Sequence, residues 1–191
     1  MAKVRHHLRV TSMRYGFTLT SYRRRIASSP IEELKKAFMV PEFAAQHDLE
    51  SVDGAIRQYG ALCHRTADHG REVLLITTRQ TRRWMIPKGW PIPGLDPSAV
   101  AEQEAWEEAG IIGRAKHRNF GAFHYGKELA DGRKVRPLVE VHLLKARKQK
   151  RRFPEMAERD VVWLNPVDAA NRVCEPELKQ LLLKFGLASN P

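Results

Sequence analysis

The chain has 191 residues, with 33 lysines and arginines against 22 aspartates and glutamates, and its formal net charge is +11. The length predicts one domain with an extension, and the hydrophobic content of 42% is ordinary for a globular protein. No apolar run approaches the roughly 18 residues that a membrane span requires. Only two cysteines occur, Cys63 and Cys174, which argues against a disulfide framework or a cysteine zinc site and favours a reducing compartment.

The first 31 residues are basic throughout and contain no acidic residue. Three interpretations remain open for them: an organelle transit peptide, a basic arm that contacts an anionic partner, and a poorly ordered tail. Residues 1–50 are interpreted as an accessory extension with a short helix over Ser29–Phe38, capped by Ser29. The catalytic domain is expected over residues 51–191 and the cytoplasm is the expected location, with the transit peptide as the alternative.

Two strands are expected at the start of this domain. The apolar patterns predict them over Ala55–His64 and Glu72–Thr78, separated by turn residues at 68–70. Thr77-Thr78-Arg79 ends the second strand, and Trp84–Pro87 leads directly into the most informative stretch of the chain.

That stretch predicts a helix over Pro97–Ala109, with Asp96 as its N-cap and Gly110 at its left-handed end. Glu104, Glu107 and Glu108 fall on one face of this helix. Like charges at this spacing repel one another, and a divalent cation such as Mg²⁺ or Mn²⁺ removes the repulsion. A metal site and a solvated acidic face are therefore both compatible with the three glutamates alone.

From Gly89 onward the stretch resembles the Nudix box, Gx₅Ex₇REUxEExGU, where U is a bulky aliphatic residue. The matching positions are Gly89, Glu104, Glu107, Glu108, Gly110 and Ile111. Leu95 replaces the first glutamate, Gln103 replaces the arginine, and Ala105 stands at a U position. The resemblance implies an enzyme that hydrolyses a diphosphate linked to another group, with Glu104, Glu107 and Glu108 binding Mg²⁺ or Mn²⁺.

The rest of the chain predicts an α/β (α+β) domain. Strands are expected over Lys116–Tyr125, Pro137–Lys145 and Val161–Leu164, a solvated basic loop over Lys145–Arg152, and helices over Asn165–Ala170 and from Glu175 onward. This order implies a mixed sheet with helices on both faces. It agrees with the αβα sandwich that the Nudix resemblance implies.

The phosphate-binding residues are expected around this helix. Thr77-Thr78-Arg79 followed by Arg83-Trp84 resembles the diphosphoinositol polyphosphate and diadenosine polyphosphate hydrolase branch of the family, which implies that Arg79, with the adjacent Thr78, contacts substrate phosphate. Further candidates are Lys88, Arg133 and Arg136, each of which is alternatively an exposed loop cation. Glu104 is the candidate for the proton acceptor, with Glu155 and Glu158 as alternatives.

The substrate expected on this basis is a phosphate-rich small molecule. Nucleoside diphosphate derivatives and RNA 5′ ends present the same diphosphate and remain alternatives. A non-catalytic Nudix-fold protein that binds polyanions or nucleic acid is the third class, and the absence of a nucleic-acid motif makes it the weaker one. The sequence does not indicate an oligomeric state.

Overall fold

The computed structural model describes residues 56–129 and 131–188. The proposed extension over residues 1–50 and its helix at Ser29–Phe38 lie outside the described residues. The strands are β1 Arg57–Ala67, β2 Gly70–Thr77, β3 Trp84–Met85, β4 Lys88–Gly89, β5 Ile111–Ala115, β6 Gly121–His124, β7 Lys127–Glu128, β8 Lys134–Val135, β9 Leu138–Gln149 and β10 Val161–Leu164. The helices are α1 Pro97–Ala109, α2 Pro166–Arg172 and α3 Pro176–Leu187.

The strands form a mixed sheet, as the sequence predicts. Its main path runs β10-β2-β1-β9-β5, and the short strands β3, β4 and β6 pair with β2, β1 and β9. The central pair β1 and β9 is parallel, with Ala61 opposite His142, and the other pairs are antiparallel. Strands β7 and β8 form a separate hairpin.

Alternating side chains of the central strands face two helical layers. On one face, β1 and β2 pack against the alanines of α1: Ala61, Cys63, Leu74, Ile76, Ala101, Ala105 and Ala109. On the other face they pack against α2 and α3: Leu62, Val73, Leu75, Ala169, Leu178, Leu182 and Phe185. Because the contact side of α1 is made of alanine, this helix lies close to the sheet. The αβα sandwich is confirmed.

Helix α1 has the predicted bounds and caps. The Asp96 side chain accepts a hydrogen bond from Ala99 N, and Gly110 adopts the left-handed conformation with φ 69°. The N–H of Gly110 bonds back to Trp106 O at 2.9 Å. These contacts fix where α1 ends, and therefore fix the position of the acidic turn that precedes Gly110.

Two predictions about the second half of the domain are wrong. Residues 116–120 form a bend rather than the start of a strand, because the chain leaves β5 and then pairs again with β9 as β6. The basic run from Lys145 is not a loop at its start: β9 continues to Gln149, where β5 pairs with it. Arg147, Lys148 and Gln149 at the end of β9 are all exposed, so this part of the strand lacks the alternation of apolar and polar residues that predicts a strand.

Within the described residues, no helix is both long and apolar enough to cross a membrane. Cys63 is buried, Cys174 is exposed, and both are free thiols.

Candidate functional site

The acidic turn of α1 is buried. Glu107 and Glu108 are only 5% and 4% exposed, and Glu104 is half-buried. A solvated acidic helix face is therefore excluded, because its carboxylates would be in water. Carboxylates buried to this degree need compensating positive charge or hydrogen-bond donors.

Glu104 lies against strand β4, which begins two residues after the buried Ile86. A Cβ atom at residue 89 would overlap the Glu104 carboxylate, so only glycine leaves room for it. Strand β4 is fixed in turn by its pairing with β1, where Gly89 lies opposite Tyr59. Gly89, the first glycine of the box, thus leaves the space that the carboxylate of Glu104 occupies.

Glu108 is held at the same strand by backbone and by charge. Its Oε2 accepts a hydrogen bond from Lys88 N at 2.8 Å, and its Oε1 pairs with the guanidinium of Arg159. Burial raises the pKa of Glu108, and the charges of Lys88 and Arg159 oppose that shift. Glu108 is therefore a buried carboxylate surrounded by protein cations.

Arg159 links the helix to the loop that precedes β10. Its side chain is 6% exposed, and its Nε donates to Glu155 Oε2 at 2.8 Å. Its Nη1 donates to Thr77 O at 3.0 Å, while the backbone N of Glu155 donates to Glu107 O at 3.0 Å. Glu155, proposed from sequence as an alternative proton acceptor, is thereby brought beside the acidic turn.

Arg79 lies at the outer edge of this network. Its guanidinium pairs with Glu155, and its Nε lies 2.9 Å from Glu158 Oε2. The side chain remains 53% exposed, so its surface is accessible to a substrate. The Thr78 hydroxyl instead lies within the following turn, where it accepts from Arg83 N at 3.0 Å and lies 2.8 Å from Thr81 Oγ1.

Two lysines face aromatic rings beside the carboxylates. Lys88 Nζ lies 5.0 Å from the centroid of the Tyr125 ring, and Lys127 Nζ lies 4.5 Å from that of Trp90. Burial lowers the pKa of both amines, and the Lys88 charge lowers that of Lys127 further. Both lysines also interact electrostatically with Glu104 and Glu108, so they flank the acidic turn.

The two other basic candidates, Arg133 and Arg136, lie in the β7–β8 hairpin and directly after it. Arg133 forms its ion pair inside the β7–β8 turn, with Nε 2.6 Å from Asp131 Oδ2. Arg136 is exposed just after β8, and its charge acts on Glu177. Lys127, on strand β7 of this hairpin, was missed by the sequence analysis, and its charge interacts with Glu104 and Glu108.

The two departures from the box have different surroundings. Gln103 Nε2 donates to Glu107 Oε1 at 2.6 Å, so a neutral amide contacts one of the proposed metal ligands. Leu95 is 40% exposed and lies in the loop before α1, where its N–H bonds to Ile92 O at 3.0 Å.

The chemistry of this site fits a hard divalent cation. Carboxylate oxygens are the donors that Mg²⁺ and Mn²⁺ prefer, and the seat for Glu104 at Gly89 lies on the strand that also holds Glu108. Among residues 56–129 and 131–188, no three histidine, cysteine, aspartate or glutamate side chains are already gathered in metal-ligand geometry. Arg159 instead neutralises Glu108.

Curated relatives carry names from the branch that the sequence resembles. The chain is 29% identical over 76 residues to the mouse diphosphoinositol polyphosphate phosphohydrolase 3-alpha, and this match covers 40% of the chain and 46% of the relative. It is also 29% identical over 62 residues to the rat diphosphoinositol polyphosphate phosphohydrolase 2, covering 32% and 35%. The chain thus matches less than half the length of these relatives.

The fold has a counterpart among solved structures. A crystal structure of a C. elegans Ap4A hydrolase binary complex superposes with a TM-score of 0.53 at 23% identity, over 68% of this chain and 93% of that one. The family model described as NUDIX domain matches residues 56–185, which include every β-strand of the sheet and all of the acidic turn. This chain therefore belongs to the NUDIX domain family.

Proposed function

We propose that the protein is a divalent-cation-dependent hydrolase that cleaves a diphosphate linkage in a phosphate-rich small molecule. Diadenosine polyphosphates and diphosphoinositol polyphosphates are the proposed substrate class. The observation that carries the proposal is the buried acidic turn, with Glu107 and Glu108 only 5% and 4% exposed and with cationic side chains on its flanks. A fold element that only stabilised the domain would gain nothing from burying these charges.

Glu104, Glu107 and Glu108 would hold Mg²⁺ or Mn²⁺, which when bound supplies the positive charge that activates water and neutralises phosphate oxygens. Gly89 keeps room for the Glu104 carboxylate. The Lys88 N–H orients Glu108 at 2.8 Å. These contacts hold two of the three proposed ligands at one strand end.

The chain's own cations would bind the phosphates. Arg79 is accessible and presents a planar guanidinium suited to phosphate oxygens, and the half-buried Lys127 lies on the flank of the acidic turn. Lys88 is only 9% exposed, so it would act on the phosphates through its charge rather than by direct contact. The rings of Tyr125 and Trp90 face these amines. Glu104 is the proposed proton acceptor, and Glu155, held by Arg159, is the alternative.

Two lines of support favour the phosphate-rich class. Several cations around one acidic turn exceed what a single diphosphate needs. The names of the mouse relative and of the C. elegans structure refer to diphosphoinositol polyphosphate and to Ap4A. The two free thiols are compatible with the cytoplasm as the site of action.

A metal-dependent phosphate-release assay tests the proposal. The wild-type protein is incubated with a diadenosine polyphosphate and a diphosphoinositol polyphosphate, with Mg²⁺ and with EDTA, and the products are quantified. Mg²⁺-dependent cleavage of either substrate is expected. Cleavage confined to nucleoside diphosphate derivatives or RNA 5′ ends would move the substrate to those classes, and no cleavage of any diphosphate would indicate a non-catalytic binding protein.

A further inference from the structure

One buried arginine holds two carboxylates from different elements side by side. The Nη2 atom of Arg159 pairs with Glu108 Oε1 of helix α1 and lies 2.7 Å from Glu155 Oε2 of the loop before β10. The other terminal nitrogen of the guanidinium, Nη1, donates a hydrogen bond to Thr77 O at the end of β2, at 3.0 Å. The side chain is thus anchored to three separate segments and cannot turn freely.

Helix α1 has no positive charge of its own near the acidic turn. Its sequence, PSAVAEQEAWEEA, contains neither lysine nor arginine. At residue 103, where the box has arginine, a glutamine donates one neutral hydrogen bond to Glu107 Oε1 at 2.6 Å. Positive charge for the buried glutamates of α1 must therefore come from outside the helix.

We propose that Arg159 is a positioning residue of this site, whose guanidinium keeps Glu108 and Glu155 adjacent and supplies the fixed positive charge that residue 103 lacks. Two carboxylates that meet at one guanidinium nitrogen would repel each other if that cation were absent. A guanidinium is suited to that position because its planar fork contacts several acceptors at once and keeps its charge when buried.

The burial of Arg159 separates this role from substrate binding. Arg159 is 6% exposed, whereas Arg79, which pairs with the same Glu155, is 53% exposed. A substrate phosphate can therefore reach Arg79 but not Arg159. The loss of Arg159 should accordingly act on the rate of the chemical step, and the loss of Arg79 on substrate binding. This inference rests on the proposed function for its kinetic readout only.

The test compares the full chain with four variants: Arg159→Gln, Arg159→Lys, Gln103→Arg and the double variant Arg159→Gln/Gln103→Arg. Arg82→Gln is the matched control. Arg82 belongs to the same region and bonds to Glu158 O at 2.9 Å, but it pairs with Asp160 rather than with Glu108 and is 49% exposed. For each protein, kcat and KM are measured, together with the unfolding temperature in EDTA and in Mg²⁺.

Arg159→Gln should lower kcat about 10- to 100-fold, the usual effect of removing a partner that orients a metal ligand, with KM changed by less than about threefold. Its Mg²⁺-induced rise in unfolding temperature should be larger than that of the wild type, because the added cation then replaces the missing charge. Adding Gln103→Arg to Arg159→Gln should raise kcat about tenfold, whereas Gln103→Arg alone should not raise kcat above the wild-type value.

Wild-type kcat in Arg159→Gln, an equal loss in Arg82→Gln, or no restoration by Gln103→Arg would overturn the inference. If Arg159→Gln does not fold, Arg159→Lys decides: an amine reaches fewer of the three acceptors, so wild-type kcat in that variant overturns the role. If the wild type cleaves no diphosphate, the proposed function fails by itself. The unfolding temperatures then still test whether Arg159 supplies positive charge to the glutamates. If Mg²⁺ raises the unfolding temperature equally in the wild type and in Arg159→Gln, that role is refuted.

Discussion

The carboxylate of Glu104 occupies the space in which a side chain at Gly89 would begin. Because the Glu104 side chain is flexible, Gly89→Ala should displace this carboxylate rather than unfold the domain. We expect kcat to fall about tenfold or more, since an orienting contact of a metal ligand is lost. The free energy of unfolding should change by less than about 1 kcal/mol.

Gly126→Ala is the matched control for this substitution. A Cβ atom there meets no other atom within 4 Å, so activity and stability should both stay at wild-type values. Steady-state kinetics and urea unfolding of the two variants provide the comparison. Wild-type turnover in Gly89→Ala would mean that catalysis does not require the Glu104 carboxylate to lie beside residue 89.

The second prediction concerns the two buried glutamates. Glu107→Gln and Glu108→Gln should each abolish metal-dependent turnover, because an amide oxygen binds Mg²⁺ far less strongly than a carboxylate. Without metal, the Glu108 variant should be as stable as the wild type or more so. The sign follows from the raised pKa of Glu108: its ionised form is less favourable in the folded state, so near pH 7 the charge opposes folding.

Phosphate release and thermal unfolding in EDTA check the two parts of this prediction separately. Glu102→Gln is a suitable control, since Glu102 lies on α1 but accepts from Ala115 N at 2.9 Å, away from the acidic turn. Residual Mg²⁺-dependent turnover in either glutamate variant would refute its assignment as a ligand. A marked loss of stability in Glu108→Gln would instead show that its ion pair with Arg159 outweighs its burial.

The local features of this site could be predicted from sequence, and the long-range ones could not. The Asp96 cap, the left-handed Gly110 and the shared face of three glutamates depend on neighbours within a few residues, and each was predicted correctly. Arg159 contacts a glutamate 51 positions earlier in the chain, and no local pattern encodes that distance.

The same reason explains the strand errors and the missed lysine. Strand β9 extends through a basic run only because β5 pairs with it, as in the pairing of Arg114 with Lys145. Lys127 lies in a two-residue strand whose position depends on the hairpin partner, Val135. Its place beside Trp90 follows from tertiary packing. In both cases the decisive contact joins segments whose separation the sequence pattern does not report.

A third prediction concerns pH. Burial, with the charges of Lys145, Lys116 and Arg71, lowers the pKa of His64 from 6.5 to about 4, and the ring centroid lies 5.0 Å from that of Phe185. Between these two pH values the unfolded state binds a proton that the folded state does not. Stability due to His64 is therefore fully present above pH 6.5 and is lost as the pH falls toward 4.

His64→Leu removes this titration while keeping an apolar neighbour for Phe185. The difference in unfolding free energy between wild type and variant should shift in favour of the variant as the pH is lowered from 7 to 4.5. The shift should be at most about 3 kcal/mol, since one pKa unit corresponds to about 1.4 kcal/mol. Chemical denaturation at several pH values measures it. Parallel pH profiles of the two proteins would contradict the lowered pKa.

The last prediction concerns the charge of the substrate. Arg79 is accessible beside the acidic turn, and Lys88 and Lys127 flank it. A substrate with many phosphates interacts with more of these cations than a nucleotide sugar does, and each charge-assisted contact with an accessible cation such as Arg79 contributes about 1.5–3 kcal/mol. Diadenosine polyphosphates and diphosphoinositol polyphosphates should therefore be cleaved with a higher kcat/KM than nucleotide sugars or coenzyme-type diphosphates.

Two variants test which cations carry this preference. Arg79→Ala and Lys127→Met should each raise KM for the highly charged substrates about tenfold, because about 1.4 kcal/mol is one decade of affinity, and should affect nucleotide sugars less. Arg133→Met is the comparison: its ion pair with Asp131 lies in the hairpin turn, so its effect should be smaller than that of Lys127→Met. The panel is run at fixed Mg²⁺ and ionic strength, because screening weakens these contacts. A preference for a nucleotide sugar, or an Arg79→Ala effect confined to that class, would contradict the proposal that the substrate is phosphate-rich.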